Sequence, residues 1–416
     1  MASANPDVSS SVASVSGKRY PVAFSVMTTV FFMWGFITCL NDILIPHLKS
    51  SFDLSYTQAM LVQFCFFGAY FVCSVPAGKL LHRVGYKRGV IIGLCIAGVG
   101  ALMFYPAAQY RTYGIFLAAL FVLASGITLL QVAANPYVVA LGPANTGPSR
   151  LNLAQAFNSL GTTVAPIIGG ALIFGGVEAI DAAAGAESVK VPYVGLAIAL
   201  VMIAAVLSMI KMPSLQDEDT QDQSAATLSE ALGQKHLLYG AIAIFLYVGG
   251  EVSIGSFLVS FMAQPDVAGL TEATAANYVA LYWGGAMVGR FLGSALMTRI
   301  APGLLLAVHA LLAVLLVATA TTSSGTLAMY AILAVGLCNS IMFPTIFSLS
   351  LHGLGRLTSA GSAALCLAIV GGALVPLLQG VVADVAGLRT AFIVPALCYV
   401  YIAWFGFRGS QPLNTH

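Results

Sequence analysis

Long apolar stretches alternate with short polar connections along almost the whole chain. Each stretch holds about 20 residues or more, the length that an α-helix needs to cross the hydrocarbon core of a bilayer. We predict spanning helices at 20–46, 57–81, 88–107, 112–142, 149–174, 191–210, 236–262, 273–297, 302–320, 326–352, 357–383 and 388–408. The pattern indicates an all-α membrane protein with twelve transmembrane helices.

One long polar interior segment divides this pattern into two sets of six helices, at 20–210 and 236–408. In each half, a helix containing Asn and Pro is joined to a helix containing Gly-Gly and Pro by a short loop ending in Arg150 or Arg356. Such a weak internal repeat predicts two pseudo-symmetric halves with a substrate site between them. We predict a disordered cytoplasmic tail at 1–19, a cytoplasmic linker at 211–235 and a second cytoplasmic tail at 409–416.

Composition also favours a membrane protein. Hydrophobic residues make up 59% of the chain and charged residues 8%, with a mean hydropathy of +0.92, whereas soluble domains carry roughly 25% charged residues. A net charge of +2 is too small to suggest a nucleic-acid partner. The seven cysteines and six histidines lack metal-binding spacings, and no phosphate-binding loop is present. We therefore predict a protein that is not an enzyme and needs no metal or cofactor.

Basic residues are distributed unevenly over the predicted connections. If the N-terminus is inside the cell, the only lysines and arginines in outward-facing connections are Lys49, Arg111, Lys190 and Arg389. The excess of lysine and arginine on cytoplasmic loops then predicts that both termini are cytoplasmic. We expect a multi-pass protein of the cell inner (plasma) membrane.

Two pairs of amides interrupt the apolar runs of the segment Leu129–Gly170. Gln131 and Asn135 are four residues apart, and Gln155 and Asn158 are three apart, so each pair shares one helical face. An amide without a partner is costly in lipid. We therefore expect these side chains to face the protein interior or a watery cavity, where a solute with many hydroxyl groups could bind.

Two acids lie inside apolar runs, Asp42 on the first predicted helix and Glu251 near the centre of the seventh. A charge there costs roughly 2.5–3.5 kcal/mol unless it is paired or solvated. Burial favours the neutral form, so Asp42 could load and release a proton. Structural alternatives stay open, because Asn41 or Lys49 could hold Asp42, and Arg290 could pair with Glu251.

Other polar and aromatic residues extend the predicted substrate site. Amides hydrogen-bond sugar hydroxyls, and aromatic rings cover the C–H faces of a sugar ring, although packing or interfacial anchoring is the alternative for each ring. These further candidates are Asn41, Gln63, Tyr247, Trp283, Asn339 and Phe343.

A basic turn at 76–89 joins the second and third predicted helices. Its residues could bind the ends of neighbouring helices and latch one conformation, or they could only set the topology. The predicted latch residues are Gly78, Arg83, Gly85, Lys87, Arg88, Arg150 and Arg356.

The sequence GKLLHRVGYKR in this turn resembles the loop motif of the major facilitator superfamily, Gly-x-Leu-x-Asp-Arg-x-Gly-Arg-Arg, with His82 where the family has an acid. More narrowly, QVAANPYVVALGP, SRLNLAQAFNSLG and FPTIFSL resemble the fucose–galactose–glucose cation symporter family. The resemblance implies the major facilitator fold, a monomer, cation coupling at Asp42 and sugar contacts at Gln155 and Asn158. Gln131 replaces the second acid of the fucose symporters, as in glucose/galactose and N-acetylglucosamine members.

These observations predict a secondary active transporter that imports a hexose or hexosamine by alternating access, in symport with a cation. Glucose, galactose, mannose and N-acetylglucosamine are the candidate sugars, and a proton is favoured over sodium as the coupling ion. We hypothesise that Glu251 supplies the second ionisable group. The alternatives are a sodium-coupled sugar symporter, an exporter of drugs or amphiphiles with the same fold, and a receptor that transports nothing.

Overall fold

The computed structural model describes residues 20–52, 56–110, 112–174, 190–212 and 227–411. Over these ranges the chain forms helices and turns, with no strand. The predicted tail at 1–19 and most of the predicted linker lie outside the described residues.

The first half contributes six long helices, and each overlaps its predicted span closely. They are α1 (Pro21–Phe52), α2 (Tyr56–Val84), α3 (Tyr86–Tyr110), α4 (Tyr113–Ala140), α5 (Gly147–Phe174) and α6 (Lys190–Met209).

In the second half, three long helices are unbroken and three spans are interrupted. The unbroken helices are α7 (Lys235–Ala263), α8 (Glu272–Leu296) and α9 (Pro302–Thr322). The interrupted spans are α10a (Gly325–Asn339) with α10b (Met342–Leu351), α11a (Thr358–Leu367) with α11b (Gly371–Ala386), and α12a (Leu388–Ala391) with α12b (Ile393–Trp404). A short helix, Leu228–Leu232, precedes α7.

Nine segments of the described chain are both long and apolar enough to cross a membrane. The other three long helices, α2, α5 and α8, have 29, 28 and 25 residues. At about 1.5 Å per residue they are also long enough to span a bilayer. The described residues therefore contain a helical segment for each of the twelve predicted spans.

Both halves repeat the same helix packing. In the first, α1 packs on α5, α2 on α4, and α3 on α4 and α6; in the second, α7 packs on α11, α8 on α10, and α9 on α10 and α12. Glycines allow matching close approaches, because a Cβ at Gly161 would collide with the Phe32 carbonyl oxygen and one at Gly371 with the Phe245 carbonyl oxygen. The packing agrees with the predicted pseudo-symmetry.

Prolines leave some backbone carbonyls inside the bundle without a helical partner, and two examples bear on the contacts described below. Proline has no N–H, so the carbonyl four residues earlier loses its helical partner. Pro136 leaves the Val132 carbonyl free, and Ser362 Oγ of α11a donates to it at 2.8 Å. In the second half, Pro344 lies in the first turn of α10b and has no N–H to donate to the Ser340 carbonyl at the break between α10a and α10b.

The two halves touch near one end of the bundle, which holds the turns at 141–146 and 352–357 and is called the loop end here. Along the α5–α8 seam, Ser149 Oγ donates to the Ser294 carbonyl at 2.7 Å. Along the second seam, between α2 and α11a, a Cβ at Gly78 would lie only 2.7 Å from a side chain of α11a. The bundle is therefore closed at the loop end.

Candidate functional site

The predicted amides of α4 and α5 lie together inside the first half. Gln155 Nε2 donates to Asn135 Oδ1 at 3.5 Å, and Asn158 Nδ2 donates to the Phe31 carbonyl of α1 at 3.0 Å. Gln131, Asn135 and Gln155 are 6%, 0% and 4% exposed. The amides thus form a buried polar group rather than a lipid-facing stripe.

Two polar atoms of this group have no hydrogen-bond partner among the described residues. Gln131 Nε2 donates to the Tyr70 hydroxyl of α2 at 2.6 Å, which fixes the orientation of the amide. Gln131 Oε1 and Asn135 Nδ2 are buried and unpartnered. Leaving a buried polar atom without a hydrogen bond destabilises the protein by roughly 1–3 kcal/mol. A ligand that carries hydroxyl groups could supply the missing partners to this acceptor and this donor, which lie on one face of α4.

We expect Tyr70→Phe to weaken ligand binding at the amides by about tenfold. Without the hydroxyl, Gln131 Nε2 loses its partner and Oε1 is no longer held in place. The measurement is the half-saturation concentration for solute exchange in reconstituted vesicles. Tyr401→Phe is the matched control. It also removes one tyrosine hydroxyl, but this hydroxyl donates to the Tyr239 carbonyl, and both residues lie on helices that do not carry the amides. Equal half-saturation for Tyr70→Phe and the unmodified protein would contradict the assigned role.

A second polar cluster lies at the break between α10a and α10b. The Tyr247 hydroxyl donates to the Asn339 carbonyl at 3.1 Å, and Asn339 Nδ2 donates to the Tyr282 hydroxyl at 2.7 Å. The Phe343 ring packs beside that of Tyr247, with centroids 6.4 Å apart. Asn339 Oδ1 is buried without a partner in the described structure. Three predicted substrate residues, Asn339, Tyr247 and Phe343, are therefore in contact.

Glu251 lies one turn after Tyr247 on α7 and adjoins this cluster. The Tyr282 hydroxyl donates to the backbone carbonyl of Glu251 at 3.4 Å. Carboxyl oxygen Oε1 is buried and unpartnered in the described structure. The ion pairs found among the described residues do not join Glu251 to Arg290.

Arg290 of α8 connects the second half to the amides of the first. Its Nε donates to the freed Ser340 carbonyl at 3.0 Å. Across the α5–α8 seam, its Nη1 donates to Ser159 Oγ and, at 3.5 Å, to the Gln155 carbonyl. The guanidinium therefore lies between the amide group and the cluster that holds Glu251.

One predicted residue whose side chain is described, Trp283, is not brought into either cluster. Trp283 is 45% exposed, and its ring packs edge-on against Tyr282. The side chains of Asn41, Asp42 and Gln63 lie outside the described residues. Their predicted roles remain predictions.

Two of the predicted latch residues, Lys87 and Arg150, bind backbone carbonyls of their own half. Lys87 Nζ donates to the Ser208 and Ile210 carbonyls at 3.0 and 2.8 Å, at the end of α6. Arg150 Nε donates to the Val138 carbonyl at 3.2 Å, at the end of α4, and its Nη1 donates to the Pro143 carbonyl at 2.9 Å. These cations cap helix C-termini, where carbonyls lack partners and the helix dipole favours positive charge.

The remaining latch residues differ in their surroundings. Arg356 forms an ion pair with Glu230 of the short helix before α7, while Arg83 and Arg88 are exposed. Gly85 has φ 79°, a conformation that favours glycine, and ends α2. Gly78 is the member of this set that lies at a contact between the halves.

Sequence reasoning missed several buried polar residues that bind cluster members or cross between the halves. Tyr70 orients Gln131, and Ser159 accepts from Arg290. Asn152 is fully buried and reaches Thr345 Oγ1 of α10b at 3.2 Å. The spacing of Asn152 and Ser159 around Gln155, three residues before and four after, was the available signal, because these positions share one helical face.

Comparisons with known proteins agree with this architecture. The family model of the Major Facilitator Superfamily matches residues 22–372. A glucose/galactose transporter of Brucella abortus biovar 1 (strain 9-941) is 56% identical over 396 residues, which cover 95% of this chain and 96% of the relative. The L-fucose-proton symporter of Escherichia coli (strain K12) is 34% identical over 418 residues, which cover 95% of each chain.

A solved structure gives the same result at the level of the backbone. The crystal structure of a major facilitator superfamily transporter in the outward conformation superposes with a TM-score of 0.88 at 35% identity, covering 94% of this chain and 99% of that one. The predicted fold and family are confirmed, and the chain belongs to the major facilitator superfamily, within its fucose–galactose–glucose symporter family.

Proposed function

We propose that this chain is a secondary active transporter that imports a hexose together with a proton. The observation that carries the proposal is the buried amide group of α4 and α5, with an unpartnered acceptor on Gln131 and an unpartnered donor on Asn135. A relative named glucose/galactose transporter matches this chain over nearly its whole length. A sugar hydroxyl both donates and accepts, so one hexose satisfies both atoms.

The sugar site lies between the halves in this proposal. Gln131, Asn135, Gln155 and Asn158 hydrogen-bond its hydroxyls from one side, and the second-half cluster faces it from the other. The further substrate residues of the second half are Asn339, Tyr247, Phe343 and Trp283, and those on α1 and α2 are Asn41 and Gln63. Glucose and galactose are the favoured sugars, with mannose and N-acetylglucosamine as the other candidates.

The direction of access follows from the closed end of the bundle. The uneven distribution of basic residues assigns the loop end to the cytoplasm, and the halves touch there. In this proposal the structure corresponds to the outward state, the conformation of the solved relative. Alternating access requires the α5–α8 and α2–α11a seams to open while the opposite end closes.

The proton is assigned to Asp42 and Glu251. The Escherichia coli relative is named a proton symporter, and acids inside a membrane commonly mark ion pathways. Sodium is the alternative ion, because carboxylate and amide oxygens also suit it. The protein acts as a monomer in the inner membrane, with both termini and the linker in the cytoplasm.

Uptake of labelled hexoses into proteoliposomes tests the proposal. One set of vesicles carries an inward proton gradient and another an inward sodium gradient. We expect glucose or galactose to accumulate in the first set and not in the second. Accumulation under the sodium gradient alone would identify sodium, and not the proton, as the coupling ion. No accumulation of any hexose under either gradient would contradict the proposed function.

A further inference from the structure

We propose that a groove between α9 and α12, at the end of the bundle opposite the loop end, binds a phospholipid molecule, and that Arg389 holds the lipid phosphate. This inference goes beyond sugar transport and needs neither a sugar nor an ion gradient. The residues that carry it belong to neither polar cluster.

The walls of this groove are apolar over most of its length. The apolar wall residues are Val314, Val317 and Ala318 of α9 and Phe392, Ile393 and Ala396 of α12. Between Val314 and Thr321 the groove follows α9 for about 10 Å. Its volume is about 360 Å³, which is the size of a small-ligand site. A narrow apolar chain fits such a groove.

The surface around the groove faces the acyl chains of the membrane. Leu315 on α9 and Leu397 on α12 are each 63% exposed, and they lie on helical segments that are long and apolar enough to cross a membrane. Large exposed apolar surfaces are typical of membrane contact. An acyl chain from the surrounding bilayer can therefore enter the groove from the side.

The polar end of the groove lies where α9 ends and α12 begins, at Thr321, Arg389 and Thr390. A phospholipid has the same order of groups, with a phosphate at the membrane interface and an apolar chain below it. Basic pockets between transmembrane helices are known sites for lipid head groups. The groove thus matches a phospholipid in both polarity and charge.

The guanidinium of Arg389 is held in place by neighbouring connections. Nη1 donates to the Thr321 and Ser323 carbonyls at 3.3 and 2.8 Å. Nη2 donates to the Asp266 carbonyl at 3.4 Å and forms an ion pair with Asp266 Oδ2 at 2.8 Å. Both Nη atoms have acceptors, so Nε–H is the remaining donor of the guanidinium.

This remaining donor lacks a partner. Arg389 Nε is buried and makes no hydrogen bond in the described structure. A phosphate oxygen is a strong acceptor for arginine, and a lipid seated in the groove can supply one. Because Asp266 balances the charge of Arg389, we expect tight binding to need the acyl chain in the groove as well as the phosphate.

The first half provides a matched cation for comparison. Lys190 begins α6, which is the counterpart of α12 in the repeated packing. Its Nζ donates to Gln109 Oε1 at 2.6 Å and lies 5.4 Å from the centre of the Tyr105 ring. Lys190 therefore tests whether any cation at this end of the bundle attracts phospholipids.

Native mass spectrometry of the purified, delipidated protein tests the proposal. The protein is titrated with dioleoyl phosphatidylglycerol, with dioleoylglycerol, which lacks the phosphate, and with glycerol phosphate, which lacks the chains. We expect the first phospholipid to bind at least roughly tenfold more tightly than either fragment, as for loss of one charged hydrogen bond.

Variants separate the two parts of the site. Arg389→Lys keeps the charge but has no Nε–H, and it should lower phospholipid affinity roughly tenfold, to that of dioleoylglycerol. Ala318→Phe fills the groove without changing Arg389 and should also weaken the binding of phospholipid. Lys190→Gln removes the matched cation, and Leu315→Phe adds bulk to α9 outside the groove. Both controls should leave the affinity unchanged.

Equal affinity of the unmodified protein for phosphatidylglycerol and dioleoylglycerol would overturn the proposal, as would equal losses in Arg389→Lys and Lys190→Gln. If Arg389→Lys does not fold, Ala318→Phe decides, because undiminished phospholipid binding by that variant would also contradict the proposal. A dimer of the unmodified protein that Ala318→Phe abolishes would assign the groove to a second copy of the chain instead. Failure of hexose uptake would contradict only the proposed function.

Discussion

Replacing Asp42 by Asn should abolish uphill sugar uptake while sugar exchange continues. Asparagine has the shape of a protonated aspartic acid but cannot release a proton. The variant therefore mimics the carrier with a proton bound at position 42. Under a proton gradient, we expect vesicles with this variant to accumulate no more sugar than vesicles without protein. Exchange of internal for external labelled sugar should stay within about twofold of the unmodified protein, because the amides that bind sugar are unchanged.

The exchange assay is also the folding control for this variant. An Asp42→Asn protein that exchanges sugar is folded and inserted, so its lack of accumulation reports on coupling. Accumulation by this variant would show that Asp42 does not carry the coupled proton.

Asn135→Leu should lower the affinity for sugar by about a hundredfold, equivalent to about 2.7 kcal/mol. Leucine has the same branching and number of heavy atoms as asparagine but offers neither the donor that lacks a partner nor the acceptor for Gln155. A site built to hydrogen-bond a substrate discriminates strongly when one partner is missing. The measurement is sugar-dependent thermal stabilisation of the purified protein, together with half-saturation of exchange.

A deoxy-sugar series and a control variant make this test specific. In a series of deoxyglucoses that each lack one hydroxyl, we expect one member to bind the unmodified protein weakly. Its affinity should fall little further in Asn135→Leu, because it lacks the hydroxyl that Asn135 binds. Gln379→Leu removes a buried amide of α11b outside the predicted site and should leave sugar affinity unchanged. Equal losses in the two variants would indicate a general packing defect and contradict the assigned contact.

Much of the fold was predictable from hydrophobic patterning. The predicted span at 112–142 became α4 (Tyr113–Ala140), because a bilayer-length apolar run has few alternatives to a helix. The break between α10a and α10b was not predicted, although Pro344 was visible. A proline in a membrane helix is often tolerated, so its effect depends on neighbours such as Arg290, which bind the freed carbonyl.

The site was partly predictable for a related reason. Polar residues in apolar runs are conspicuous, so Gln131, Asn135, Gln155 and Glu251 could be selected directly. Tyr70 could not, because its role depends on a hydrogen bond across 61 positions of sequence. The basic latch residues were easy to find but hard to interpret, since the charge pattern does not tell whether a cation caps its own half or crosses to the other.

Proton movement evoked by sugar tests the central claim most directly. Proteoliposomes without any ion gradient contain a pH indicator, and glucose or galactose is added outside. Symport predicts that the interior becomes acidic when the sugar enters, with no such signal for an unrelated polyol or for Asp42→Asn. Sugar entry without acidification would contradict proton symport and leave a sodium-coupled or uncoupled carrier.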